Sequence, residues 1–145
     1  LQPKWNWHLA VAHCDHRWQT SAANAEFVQT LTQNWKLPLF LEVAETVDIT
    51  EAGAREWRYQ ILVNLARREA FSHIVTGHTA SDRAETLLYN LVRGSGADGL
   101  QALTWQRRVA PEIDLTRPLL DLTRTQTEQF CQEMNLTFWH NPANH

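Results

Sequence analysis

Three short apolar runs alternate with stretches of helical periodicity, and this alternation constrains the fold more than any other feature of the chain. The runs are Leu9-Ala10-Val11-Ala12-His13-Cys14, Leu39-Phe40-Leu41-Glu42-Val43-Ala44 and His73-Ile74-Val75-Thr76-Gly77. Each is too short for a helix and apolar enough for a buried strand. After the first run, Phe27, Val28, Leu31 and Trp35 recur at helical spacing through Lys36, with Thr20 or Ser21 as cap and Pro38 as stop. After the second, Asp48-Ile49-Thr50-Glu51 has the form of a capping box with Asp48 as cap. Ala54, Trp57, Ile61, Leu62 and Leu65 then form the buried stripe of a helix running to Phe71. After the third, Thr79-Ala80-Ser81-Asp82 repeats the box. Ala84, Leu87, Leu88, Leu91 and Val92 give that helix an inward face, and Gly94 and Gly96 end it. Strands alternating with helices in this way predict an α/β fold: a parallel sheet in three layers, with helices on both faces.

The last third of the chain is less regular. Ala97 to Leu103 reads as a short helix. Trp105 to Asp114 is polar, holds Arg107-Arg108 and reads as a loop, and Leu115 to Leu120 reads as a brief strand. Thr123-Arg124-Thr125-Gln126 is another box-like start, with Phe130, Cys131 and Met134 facing inward behind it. Thr137 to His140 extends toward a turn at Asn141-Pro142. Right-handed crossovers bring the C-terminal ends of parallel strands to one edge, where open α/β sheets bind ligands. Asp15-His16, Glu45-Thr46 and Gly77-His78-Thr79 are expected there, joined by Arg117 if its strand is also parallel.

Composition narrows the function classes. The 145 residues suit a single domain over 1–145. A net charge of −3 gives no global basic field for nucleic acid. No apolar run approaches the roughly 20 residues of a membrane helix, and Leu1 to Trp7 do not resemble a signal peptide. Among the 13 cationic side chains only Lys4 and Lys36 are lysine. Arginine leans toward phosphate or carboxylate partners, although most of these residues read as solvated helix faces. Cys14 and Cys131 lie far apart with no Cys-x-x-Cys, so they read as buried free thiols in a reducing cytoplasm. A chain beginning at Leu1 rather than Met is expected to have lost a segment upstream.

Within this frame a few groups carry chemistry. Asp82 and Glu85 are three apart at a helix start and share a face, where they could receive Mg²⁺ or an ammonium. Capping and the helix dipole fully account for an acid at that place and, on residue chemistry alone, are the better explanation. His78 and His16 each follow a strand and could contact a nucleotide or move a proton. His13 and His16 fall on opposite faces of a strand and make a poor metal pair. Gly94-Ser95-Gly96-Ala97-Asp98-Gly99 spells the dinucleotide fingerprint, but it follows a helix where the fingerprint must follow a strand. It reads instead as a helix exit whose N–H groups, with Arg93, could meet an anion; C-capping by Arg93 is the alternative. Trp5, Trp7, Trp18, Trp105 and Trp139 suit packing more than base stacking.

Five motifs in order resemble the tRNA(Ile)-lysidine synthetase family. Gly77 to Thr86, followed by Arg93-Gly94-Ser95-Gly96, resembles its Gly-His-His-x-Asp-Asp-Gln-x-Glu-Thr block and the Arg-Gly-Ser-Gly after it. Val11 to His16 resembles a strand ending in Asp-His, and Glu51 to Tyr59 resembles Glu-x-x-Ala-Arg-x-x-Arg-Tyr. Arg117-Pro118-Leu119-Leu120 and Trp139 to Asn144 resemble Arg-Pro-Leu-Leu and Trp-x-Asp-Pro-Ser-Asn. Thr79, Ser81 and Arg83 stand where His, Asp and Gln are usual, and Asn141 where Asp is usual. The family's Ser-Gly-Gly-x-Asp-Ser pyrophosphate loop is not in this sequence.

The resemblance implies a truncated PP-loop-type nucleotide-binding domain over 1–145. It would be Rossmann-like, of the adenine nucleotide alpha hydrolase type, with its first strand missing and little activity as a fragment. It implies a cytoplasmic ligase that spends ATP, with Mg²⁺, to adenylate the wobble cytidine of an isoleucine tRNA with a CAU anticodon. L-lysine then attacks to form lysidine. A homodimer is compatible with this reading. By motif match Asp82, Glu85 and Arg93 are the catalytic candidates, with Asp82 and Glu85 also the candidates for Mg²⁺. His16, His78 and Thr79 would line the nucleotide pocket. Arg55, Arg58, Arg117, Asn141 and Asn144 would meet substrate or tRNA. A base-thiolating PP-loop enzyme and a non-catalytic remnant are the alternatives.

Overall fold

The computed structural model describes residues 2–17, 21–45, 50–94 and 103–139. The elements run α1 (Gln2–Trp5), β1 (Val11–Asp15), α2 (Ser21–Trp35), β2 (Leu39–Val43), α3 (Glu51–Arg68), β3 (His73–Val75), α4 (Ala80–Val92), β4 (Gln106–Ala110), β5 (Ile113–Thr116) and α5 (Arg124–Glu133). The α/β class therefore stands. The chain divides into two compact units, Leu1–Asn64 with Trp139–His145, and Leu65–Phe138.

In the first unit β1 and β2 pair in parallel, from Val11 against Leu39 to Asp15 against Val43. α2 connects them and packs on both. The buried Thr32 of α2 is satisfied by donating its hydroxyl to the Val28 and Gln29 carbonyls, both at 2.9 Å. The helix stops in a Schellman turn: Lys36 takes φ 55°, and Leu37 N–H reaches Thr32 O at 3.0 Å. α3 is capped by Thr50, whose hydroxyl accepts Gly53 N–H at 3.1 Å. The cap lies two residues beyond Asp48, which falls outside the described residues. Phe27 and Trp139 meet at 5.9 Å within this unit.

In the second unit the strand order is β3-β5-β4, with β3 parallel and β4 antiparallel to β5. The central strand β5 carries the core: Ile113 and Leu115 are fully buried on one face, with Ile74, Ala110, Leu120, Leu65 and Ala66 also buried. α3 ends at Arg68, short of the expected Phe71. Ala70 takes φ 58° and Phe71 N–H bonds Ala66 O at 2.8 Å.

Three expectations are corrected. First, Trp105 to Asp114 is not a loop. Gln106–Ala110 and Ile113–Thr116 form a hairpin about Pro111-Glu112, with a bulge between Arg108 and Ala110. Gln106, Arg107 and Arg108 are all exposed on an edge strand, which is how a strand can look like a loop by composition. Second, the described strands form a two-stranded and a three-stranded sheet, the latter mixed rather than wholly parallel. Third, the apolar faces of α4 and α5 do not face inward. Leu88, Leu91 and Val92 are 61%, 51% and 87% exposed, and Phe130 and Met134 are exposed too. Helical periodicity records which face needs cover, without showing that the cover lies among these residues. The helix expected from Ala97 lies outside the described residues up to 102, and Leu103 is not helical. No helix among the described residues is long and apolar enough to cross a membrane.

Candidate functional site

The site is built where β3 gives way to α4. Thr76 N–H donates to Thr116 O at 3.0 Å and extends the parallel ladder past β3. The chain turns at Gly77, where an added Cβ would meet nothing within 4 Å. His78 Nδ1 and Thr76 Oγ1 lie 2.9 Å apart. Thr79 is the N-cap of α4 and is buried. Its backbone N–H and its hydroxyl both donate to Asp82 Oδ2, at 2.7 and 2.6 Å. The return leg, Asp82 N–H to Thr79 Oγ1, is long at 3.5 Å, so most of the capping box's strength lies in the carboxylate. Burial alone would push the Asp82 carboxyl up. The hydrogen bonds from Thr79, with the charges of Arg124 and His78, outweigh it and hold the group below its ordinary value.

The other Asp82 oxygen faces a residue from α5. Arg124 Nη2 lies 3.3 Å from Asp82 Oδ1 and 3.2 Å from Glu85 Oε1. The backbone supports the same meeting: Arg124 N–H donates to Ser81 Oγ at 3.1 Å, and Ala80 N–H to Leu122 O at 2.8 Å. α5 is itself capped by Thr123 and Gln126. Ser81, standing where the family pattern has an acid, keeps an oxygen for the Arg124 amide. Asp82 and Glu85 thus converge on one nitrogen cation.

One Asp82 oxygen is taken by Thr79, and Arg124 stands between the remaining oxygen and Glu85. Mg²⁺ prefers an octahedron of oxygens. Among the described residues no group of three or more His, Cys, Asp or Glu side chains could hold a metal ion. As placed, Asp82 and Glu85 share one guanidinium nitrogen, which an organic ammonium could replace.

The remaining candidates are placed elsewhere. Arg93 caps the far end of α4, eleven residues beyond Asp82 and roughly 16 Å along the axis. Its Nη1 donates to Tyr89 Oη at 2.8 Å, and its guanidinium lies 5.3 Å from the Tyr89 ring centre. The structure therefore does not bring Arg93 to the acidic pair. Arg117 is only 2% exposed, and its Nη1 donates to Thr104 O at 2.7 Å. With its N–H on Trp105 O at 2.8 Å, it ties the end of β5 to the segment before β4, and almost none of it is exposed.

In the first unit His16 follows β1 and is buried. Arg58 reaches its Nε2 from Nε at 3.3 Å and Nη2 at 3.1 Å, and Trp57 meets it edge-on at 4.8 Å. Burial first, then the Arg58 charge, push the His16 pKa down, with Asp15 opposing. Arg58 is thus engaged with His16. Arg55 lies 5.4 Å from the Tyr59 ring centre. Asn141 and Asn144 fall outside the described residues.

Arg124 is the residue that sequence reasoning missed. There it reads only as the position after a cap. A signal was present, because a cation in the first turn of a helix opposes the dipole and needs an acidic partner.

With this geometry in hand, comparison with known proteins gives a consistent result. The PP-loop domain family profile matches residues 1–145. A tRNA(Ile)-lysidine synthase of Nostoc sp. is 60% identical over 99% of this chain and 42% of its own length. Proteins of the same name from Synechocystis sp. and Synechococcus sp. are 52% and 48% identical, each over 99% of the chain and 46% and 45% of their own lengths. A chloroplastic tRNA(Ile)-lysidine synthase of Zygnema circumcarinatum is 34% identical. The chain spans less than half the length of these relatives.

Proposed function

The chain belongs to the PP-loop domain family, and from that premise we propose that it is the ATP-using part of a tRNA(Ile)-lysidine synthase. The observation that carries the reading is 60% identity to a relative of that name across nearly the whole chain. The Gly77 to Thr86 motif supports it by lying at a strand-to-helix junction with two acids converging on a cation.

In the proposed reaction O2 of the wobble cytidine, in an isoleucine tRNA with a CAU anticodon, attacks the α-phosphorus of ATP and pyrophosphate leaves. The ε-amine of L-lysine then attacks C2 and AMP leaves. Asp82 and Glu85 receive the lysine ammonium and orient it before the amine loses its proton. His78 and Thr79 are assigned to the nucleotide, and so is His16 in the first unit, where Arg58 fixes its ring. Arg55 meets tRNA. Mg²⁺ enters as the counter-ion of ATP, with no side chain of this chain assigned to it. The three-layer arrangement, the single domain over 1–145, a homodimeric assembly and a cytoplasmic setting belong to the same proposal.

The full-length protein tests it. Incubated with ATP and the isoleucine tRNA, it is expected to form pyrophosphate, and on addition of lysine to release AMP. Hydrolysis to ADP, or turnover indifferent to tRNA, sinks the reading.

A further inference from the structure

The proposed reaction brings a cationic amino acid to Asp82 and Glu85, and the fold already keeps a cation there. We propose that Arg124 is a specificity-determining residue, a tethered stand-in for the substrate ammonium that yields its place only to an incoming alkylammonium. The inference rests on the lysine reading above.

Three features carry it. One nitrogen, Nη2, contacts both acids, at 3.3 and 3.2 Å, so the carboxylates converge on a point of the size an R–NH₃⁺ group fills. Both contacts are longer than the roughly 2.7–2.9 Å of a good charge-assisted bond. The three side chains are 32% (Asp82), 65% (Glu85) and 43% (Arg124) exposed, so the guanidinium is held loosely. The Arg124 backbone is secured independently, by its N–H on Ser81 Oγ and by the Thr123 cap of α5. The side chain can therefore leave without unpicking the junction of α4 and α5. A cation in the first turn of α5 also opposes that helix's dipole, so its favourable partners are the two acids. A neutral or anionic ligand has nothing to offer the pair in exchange. An alkylammonium replaces the guanidinium charge for charge.

Removing the guanidinium should strengthen ammonium binding. In the full-length protein, Arg124→Ala is expected to lower KM for lysine about fivefold, the size of two loose ion pairs. The dissociation constant of n-butylammonium, followed by NMR titration, should fall in parallel. Arg124→Gln, which keeps a donor without the charge, should behave as Ala does, while Arg124→Lys should stay within about twofold of wild type. A merely structural Arg124 would lower the melting temperature and leave both constants alone. An unchanged or raised lysine KM in the Ala and Gln variants overturns the proposal. If the wild-type protein transfers no lysine, the reaction assigned above fails by itself, and the butylammonium titration still decides the role of Arg124.

Discussion

Asp82 is both a cap and a member of the site, and Asp82→Asn separates the two. The substitution keeps the size of the side chain and an oxygen for Thr79. It removes the charge that makes the 2.6 and 2.7 Å contacts strong, and it turns an amide toward either Thr79 or Arg124. Loss of a good helix cap costs about 1 kcal/mol. The Arg124 contact adds no more than about 1 kcal/mol, because the partners are 32% and 43% exposed and screened by solvent. A total of about 1–2 kcal/mol follows, well inside the roughly 5–15 kcal/mol that holds a domain together. The variant should therefore fold.

The pH dependence is the sharper signature. Asp82 is held below its ordinary value in the folded state, so its contribution is complete above the unfolded carboxyl value of about 4 and fades as pH falls through the folded one. Urea denaturation of wild type and variant at pH 7, 5 and 3.5 measures the gap. The gap should be equal at pH 7 and 5 and smaller at 3.5. A gap under about 0.5 kcal/mol at pH 7, or one indifferent to acid, would refute the reasoning.

Two further predictions concern stability and titration. Ala70→Gly should raise stability by about 0.5–1 kcal/mol, since the exposed Ala70 sits at φ 58° in a Schellman turn where glycine carries no Cβ penalty. A lower urea midpoint would show that the turn is not strained by Ala. Arg58→Met should raise the His16 pKa, because the guanidinium on Nε2 is one of the two main influences that depress it. The value should remain below the ordinary one, since burial, the larger influence, persists. NMR titration of His16 reads the outcome, and an unmoved pKa would remove Arg58 from the interaction.

Much of this was legible in the sequence, and the failures have physical causes. Thr79 and Thr123 cap their helices as expected because a box is local: four residues contain both donors and both acceptors. β1, β2 and β3 fall within a residue or two of the apolar runs that announced them. β4 was not legible, since an edge strand that opens with three exposed polar residues has the composition of a loop. The exposed Leu88, Leu91 and Val92 show the limit of periodicity, which states a need for cover and not its source. At the site, Asp82 and Glu85 follow from i, i+3 spacing. Arg124 lies some forty residues away and enters only because the N-terminal ends of α4 and α5 meet. The two acids were visible in the sequence, and the guanidinium that lies between them was not.

The central claim is that Asp82 and Glu85 receive lysine in an ATP-dependent transfer to tRNA. The most direct test is labelled lysine incorporated into isoleucine tRNA by the full-length protein, with wild type and folded Asp82→Ala side by side. The account predicts ATP-dependent labelling by wild type and loss of at least about a hundredfold in the variant, as expected when a group that positions the reacting amine is removed. Equal labelling by the two proteins would contradict it.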